Sequence, residues 1–361
     1  MDPDRRELYP LTGLRGLAAL AVLAYHCWGS PNSNGLRLEI SHGYLAVDLF
    51  FMLSGFVLAY VYRFTFRHDR SWTRIRKFLW ARFSRIYPVH LATLLLLLPL
   101  YGSQGFSGGS LINNLVFSQI FFETSLTWNA SAWSISAEWY AYLLFPFIAI
   151  PLIERLLPLS SVAIVGFCLV PEATLVLSLG HGDIARTPIV LVRALPEFMT
   201  GMLIYRCFAS NWLIRVWKSD SAFLLCFALI IAIAAFNRTD LPIVALLAVL
   251  LLCCAHNRKH VAAVLGGVPI LFFGRISYSL YMVQAPAFFA ATELRSRGIV
   301  TNATVFGWTM AALSFAMAVP MSRFIEYPAR DFLRNLLNPF ARSDDSPLAV
   351  GSSWRNRYRR R

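Results

Sequence analysis

Arg15 and His26 lie eleven residues apart within one apolar run. On an α-helix that separation is about 16.5 Å along the axis and only about 20° around it. Both side chains therefore share a face, three turns apart. A histidine titrating near neutrality is suited to take a proton from a hydroxyl as a general base. A histidine hydrogen-bonded between helices for packing is the alternative reading of the same position.

Other ionisable residues fall inside apolar runs or at their ends: Asp48, Glu138 and Glu172, then Arg193, Glu197, Arg275 and Glu326. A charge at the centre of a bilayer costs at least about 2.5–3.5 kcal/mol, so such residues face the inside of a bundle and mark a site or a structural ion pair. Arg193 and Glu197 are one helical turn apart and can pair with each other. Glu138 follows Trp133-Ser134-Ile135-Ser136-Ala137, with Tyr142 one turn below it. Arg275 precedes a polar stripe of Ser277, Tyr278 and Tyr281. Arg82 and Arg85 close a basic loop at the entry to the third apolar run. They serve either as orientation signals or as a phosphate site, which paired guanidiniums suit. The six cysteines have no metal-ligand spacing and read as small buried hydrophobes, so no metal is expected.

The elements that must hold these residues are membrane helices. Of the 361 residues, 57% are hydrophobic and only 14% charged, with a mean hydropathy of +0.55. A soluble domain carries roughly 25% charged residues, and here the deficit runs the whole length of the chain. A helix needs about 20 apolar residues to span the hydrocarbon. Such runs occur at 11–30, 43–62, 86–102, 138–156, 160–179, 188–208, 221–236, 241–256, 268–290 and 303–322. The expected fold is all-α, a polytopic integral membrane helical bundle of about ten spans. It forms a single membrane domain over 1–335, followed by a basic, disordered cytoplasmic tail over 336–361. The first run contains Arg15 and lacks a small-residue cleavage site, so it is read as a retained span.

The net charge of +14 does not point to nucleic acid, because no fold signature accompanies it. It follows the positive-inside rule instead. With alternating spans and a cytoplasmic N-terminus, the outer segments hold only Arg37, Arg186, Arg238, Arg295 and Arg297. Both termini are then cytoplasmic in a multi-pass bacterial inner-membrane protein, and the tail is attracted to anionic lipid. The stretch Leu111–Trp128 is expected to lie on the outer membrane surface.

The residues also resemble a known family. Leu14-Arg15-Gly16-Leu17-Ala18-Ala19 with Tyr25-His26, and Gly43 through Asp48 to Ser54-Gly55-Phe56, are similar to markers of the acyltransferase-3 family of bacterial integral-membrane O-acyltransferases. So are Arg82/Arg85-Ile86-Tyr87-Pro88, Trp133 through Ser136 to Glu138, Phe273-Gly274-Arg275 with Ser277, Tyr278 and Tyr281, and Glu326-Tyr327-Pro328-Ala329-Arg330. The six segments keep the family's order from residue 14 to 330.

The resemblance implies transfer of an acyl group, usually acetyl, from acyl-CoA to a hydroxyl on a saccharide, a glycolipid or a related acceptor. Acyl-CoA is then a co-substrate, and no bound cofactor is expected. Arg82 and Arg85 would hold the CoA phosphates, helped by Arg15. His26 would be the base, with Ser136, Tyr278 or a nearby amide stabilising the oxyanion. Glu138 belongs to the same catalytic set, while Asp48, Ser54, Arg275, Ser277, Tyr281 and Glu326 are further intramembrane polar candidates. Direct transfer and an acyl-enzyme both remain open.

Gln284 departs from the family pattern, which often has histidine there before the proline, so a second histidine does not share the proton work. The chain ends soon after the last run, so it would acylate its acceptor directly or hand the group to a separate partner. A transporter of a glycolipid or organic anion through a charged interior is the main rival reading, and a membrane scaffold a weaker one. Neither accounts for the six ordered segments.

Overall fold

The computed structural model describes residues 8–29, 41–62, 64–68, 70–101, 107–123, 127–154, 190–211, 213–236 and 240–336. These residues form helices and turns, with no strand among them. The long helices are α1 (Tyr9–Ala24), α2 (Ala46–Tyr62), α3 (Trp72–Tyr101), α4 (Ala132–Glu154), α5 (Val190–Ala209), α6 (Asp220–Phe236), α7 (Leu241–His256), α8 (Val268–Met282), α9 (Gln284–Ser296), α10 (Ala303–Pro320) and α11 (Tyr327–Leu336). The fifth apolar run, Glu172 and the basic tail lie outside the described residues.

The bundle is inverted relative to a water-soluble protein. Arg193, Glu197 and Asp48 are almost fully buried, whereas Leu225 and Phe236 on α6 are 64% and 92% exposed. An outer surface of large apolar side chains around buried charges belongs in lipid. Gly43–Tyr62 and Ala303–Leu336 are each long and apolar enough to cross a membrane unaided. The shorter α6 and α7 are equally apolar. Among the described residues Gly43–Tyr62 and Ala303–Leu336 meet both requirements, fewer than the ten spans expected. The first run divides into α1 and a π-helical turn at Tyr25–Gly29, and the ninth breaks at Val283 between α8 and α9.

Close glycine contacts set the helix directions. Gly16 of α1 meets Gly274 of α8, and Gly274 lies against the carbonyl of Thr12. Gly55 of α2 and Gly201 of α5 face the backbones of Phe198 and Met52 so closely that a Cβ on either would overlap a carbonyl oxygen. Small residues permit such approach where apolar burial gives little drive for association, as in a membrane. The contacts run in parallel register: His26 meets Gln284 beyond Gly16 and Gly274, and Asp48 meets Arg193 ahead of Gly55 and Gly201. α4 runs the same way as α2, with Phe51 on Trp133 and Ser54 on Glu138.

One end of the bundle collects the basic residues. Tyr62 ends α2 against Phe78 near the start of α3, Trp80 Nε1 donates to Leu333 O of α11 at 2.7 Å, and Phe208 of α5 meets His256 of α7. Arg74, Arg76, Lys77, Arg206, Arg258 and Arg334 therefore share this basic end. The expected basic loop over 63–85 is corrected here. Residues 72–85 are the first turns of the 30-residue α3, because Lys and Arg have good helix propensity and no glycine interrupts them. The stretch Leu111–Trp128 includes two short helices, Gly108–Leu115 and Gln119–Phe122. His90 Nε2 of α3 donates to Asn114 O at 2.8 Å, while Ile112 and Phe122 stay exposed.

The α2–α5 seam makes a direct prediction. Gly201→Val forces a side chain into the Met52 carbonyl, where backbone rather than a rotamer must yield. The loss should reach or exceed the upper end of the about 1–3 kcal/mol typical of overpacking. Thermal unfolding in detergent, read beside Gly108→Val, whose new Cβ would meet nothing within 4 Å, checks it.

Candidate active site

Near the basic end, four guanidiniums meet inside the bundle with few anions to balance them. Arg15, Arg85, Glu138, Glu326, Tyr278 and Arg330 all lie within electrostatic reach of others in the group. Both carboxylates are already occupied. Ser54 Oγ donates to Glu138 Oε1 at 2.7 Å, Tyr142 OH donates to the same oxygen, and Ser279 Oγ donates to Glu326 Oε2 at 2.6 Å. Arg15 turns to a carbonyl instead, with Nη2 2.8 Å and Nε 3.3 Å from Gly274 O, which also accepts from Ser277 Oγ at 2.9 Å.

Arg82 and Arg85 have no carboxylate within ion-pair distance among the described residues. Arg82 stacks over the Tyr62 ring at 5.8 Å. Arg330 lies over the Tyr327 ring at 4.9 Å and reaches Asp331 only at 3.9 Å. The Nε atoms of both Arg82 and Arg330 are buried without a hydrogen-bond partner. Buried donors of this kind cost free energy until an acceptor arrives.

His26 sits in the π-helical turn after α1, a distortion common at functional sites. Its Nδ1–H donates to Gln284 Oε1 at the start of α9. The Tyr25 and His26 rings lie 5.3 Å apart, inclined at 50°, and Tyr25 meets Tyr44 edge-on at the same separation. The second charged group lies further from the basic end. Arg193 forks onto Asp48, Nε to Oδ1 at 2.5 Å and Nη2 to Oδ2 at 2.8 Å, with Glu197 at 3.9 Å. The Arg193 guanidinium also lies over Trp133 and Tyr44, and Tyr44 OH donates to Asp240 Oδ2 at 2.6 Å.

Several sequence expectations change. Ser136 Oγ donates to Ala132 O at 3.2 Å, one turn back, and Tyr278 OH donates to Ile86 O. Both protons go to backbone carbonyls in this arrangement. Arg275 is exposed, because Gly274 takes the face of α8 turned to α1 and the next side chain points about 100° away. Its carbonyl accepts from Tyr327 OH at 3.1 Å, also near the surface. Arg193 chelates Asp48 in preference to the expected Glu197. Tyr281 accepts from Ser134 Oγ at 2.8 Å and packs edge-on to Phe50. Arg330 and Gln284 were not singled out as site residues. Arg330 follows Glu326 by four residues, a helical spacing that signals a shared face.

Charges inside and apolar side chains outside define an integral-membrane helical protein whose chemistry faces its own interior. The chain belongs to the acyltransferase-3 family: that family's profile, an acyltransferase domain, matches residues 8–323. The acyltransferase MdmB of Streptomyces mycarofaciens is 35% identical over 162 residues, 40% of each chain. The peptidoglycan O-acetyltransferase OatA of Listeria monocytogenes is 23% identical over 98% of this chain and 60% of its own length. Protein 2 in the picA locus of Rhizobium radiobacter is 39% identical over 26% of this chain and 45% of its own. The chain thus spans 40% to 60% of the curated relatives it matches. No solved structure matches it.

The Asp48–Arg193 fork is testable as a structural unit. Arg193→Met leaves two buried carboxylates without their cation and should cost about 3–5 kcal/mol. Adding Asp48→Asn should recover part of that loss. Thermal unfolding of the two variants in detergent measures both.

Proposed function

We propose that the chain is a membrane O-acyltransferase moving an acyl group, acetyl in the first instance, from acyl-CoA to a hydroxyl of a saccharide, glycolipid or related acceptor. The observation that carries this reading is the excess of guanidinium at the basic end. Arg15, Arg82, Arg85 and Arg330 face two carboxylates that hydroxyl groups already hold. Interior cations that outnumber their counter-ions ask for a polyanion, and charge-assisted Arg–phosphate bonds are strong and geometrically selective. The phosphates of CoA fit that demand. His26 lies about 16.5 Å further along α1, a separation that the extended pantetheine arm can bridge.

In the reaction, His26 takes the acceptor's hydroxyl proton and the alkoxide oxygen attacks the thioester carbon. The tetrahedral intermediate collapses with the C–S bond breaking, and the CoA thiolate leaves with the proton held by His26. The basic end is cytoplasmic in a ten-span bundle with both termini inside, by the charge asymmetry of the segments. Glu138 supports the arginine cluster through Ser54 and Tyr142 and keeps the donor site rigid.

Two experiments test the reading. Radiolabelled acetyl-CoA is supplied to membranes of the producing bacterium, and the acetylated product is identified by mass against a strain lacking the gene. Arg85→Ala should raise the KM for acetyl-CoA at least tenfold with a smaller effect on acceptor. His26→Gln should lower kcat by roughly 10²–10⁴ with acetyl-CoA binding kept. Substrate movement across vesicles without CoA release would favour transport instead. For topology, single cysteines replacing Ser71 and Lys259 should label from the cytoplasm and one replacing Ser296 from outside. Labelling of all three from one side overturns the bundle orientation.

A further inference from the structure

Two irregular helix positions face each other across the α1–α8 contact. On one side is the π-helical turn that carries His26. On the other, α8 ends at Met282, Val283 turns with φ −83° and ψ −2°, and Gln284 opens α9. The break is held from outside its own chain segment. Asn129 Nδ2 donates to Met282 O at 3.0 Å and to Thr93 Oγ1 of α3 at 3.0 Å. Gln284 is 2% exposed, and Ala285 beside it is buried as well, so the amide has little room to move.

The two ends of this amide are in different states. Gln284 Oε1 accepts from His26 Nδ1–H, a bond that selects the tautomer in which Nε2 is the basic ring nitrogen. Gln284 Nε2 is buried and has no hydrogen-bond partner. An unpartnered buried donor next to a base is an incomplete polar network, and it requires an acceptor atom. The hydroxyls of Ser136 and Tyr278, the oxyanion donors expected from the sequence, are committed to backbone carbonyls.

We infer that Gln284 does two things: it is the positioning residue for His26, and its Nε2–H₂ group is the donor for the thioester carbonyl oxygen. The inference rests on reading His26 as the base. As the acceptor O–H gives its proton to His26 Nε2, the acceptor oxygen bonds to the carbonyl carbon. The C=O electron pair moves onto oxygen, where Gln284 Nε2–H stabilises it. The intermediate then re-forms C=O, expels the CoA sulfur and returns the proton from His26 to it. One amide links both events. A cationic His26 donates more strongly to Oε1, which polarises the amide and makes Nε2–H a better donor at the moment negative charge develops.

The full chain in membranes of the producing bacterium, with radiolabelled acetyl-CoA as probe, separates the alternatives. Gln284→Leu removes both functions and should lower kcat by roughly 10²-fold or more with the KM for acetyl-CoA within a few-fold. Gln284→Glu keeps the size and the acceptor for Nδ1–H but has no amide donor. Its carboxylate favours the imidazolium, so the acid limb of the pH–kcat profile should move to higher pH. Its plateau should still stay roughly 10²–10³-fold below wild type. A Gln284→Glu plateau at the wild-type rate overturns the donor role, and wild-type kcat in Gln284→Leu overturns both. Should Gln284→Leu fail to insert, Gln284→Glu decides alone. His26→Gln is run alongside: an inactive His26→Gln beside an active Gln284→Leu rejects only this inference, whereas an active His26→Gln rejects the base itself.

Discussion

The parallel contact between α1 and α8 is the constraint on which the site depends. Gly16 and Gly274 bring the two backbones together, and because the helices run the same way, each turn of α1 meets a matching turn of α8. At the lower contact Arg15 reaches the Gly274 carbonyl, and at the upper one His26 reaches Gln284. Neither pairing would survive a reversal of one helix or a Cβ at the seam. The α2–α5 contact repeats the principle, with Gly55 and Gly201 below and the Asp48–Arg193 fork above. Two glycine seams thus fix the positions of the interior charges. Those charges in turn are tolerable only there, because lipid offers them no partner.

Irregular backbone concentrates where polar side chains cluster. His26 and Glu326 both sit in π-helical turns, and Gln284 sits just past a helix break. Each distortion frees backbone groups that would be costly in lipid. At the break between α8 and α9, Asn129 supplies a partner for the Met282 carbonyl. The protein accepts local disorder of the helix ladder where side chains must be aimed, and keeps regular helices on the surface that lipid touches.

Much of this was legible in the sequence through helical spacing alone. The eleven-residue interval placed Arg15 and His26 on one face, and both do turn toward α8 and α9. The all-helical architecture followed from the apolar runs. What spacing does not reveal is which partner a polar group finds across the bundle. Arg193 binds Asp48, 145 residues away, in preference to the carboxylate one turn along. Spacing is equally silent on the backbone carbonyls of Ala132 and Ile86, which take the hydroxyl protons of Ser136 and Tyr278. Gln284 was noted for the histidine it replaces, whereas its two amide ends have meaning only beside His26. The basic stretch before Pro88 read as a loop because charge density was taken as a boundary, yet Lys and Arg continue a helix readily.

The length of α3 has a further consequence. Its 30 residues extend about 45 Å, against a hydrocarbon layer of about 30 Å. The helix must project at the basic end, where Arg74, Arg76 and Lys77 are exposed, or tilt to shorten its span. If it projects, Arg82 and Arg85, one to three turns further in, lie nearer the headgroup boundary than the exposed Arg74 does. α3 behaves as a ruler laid across the bilayer with the arginines marked on it. Lipid thickness, which sets how far the ruler protrudes, becomes a determinant of how deep the arginines lie.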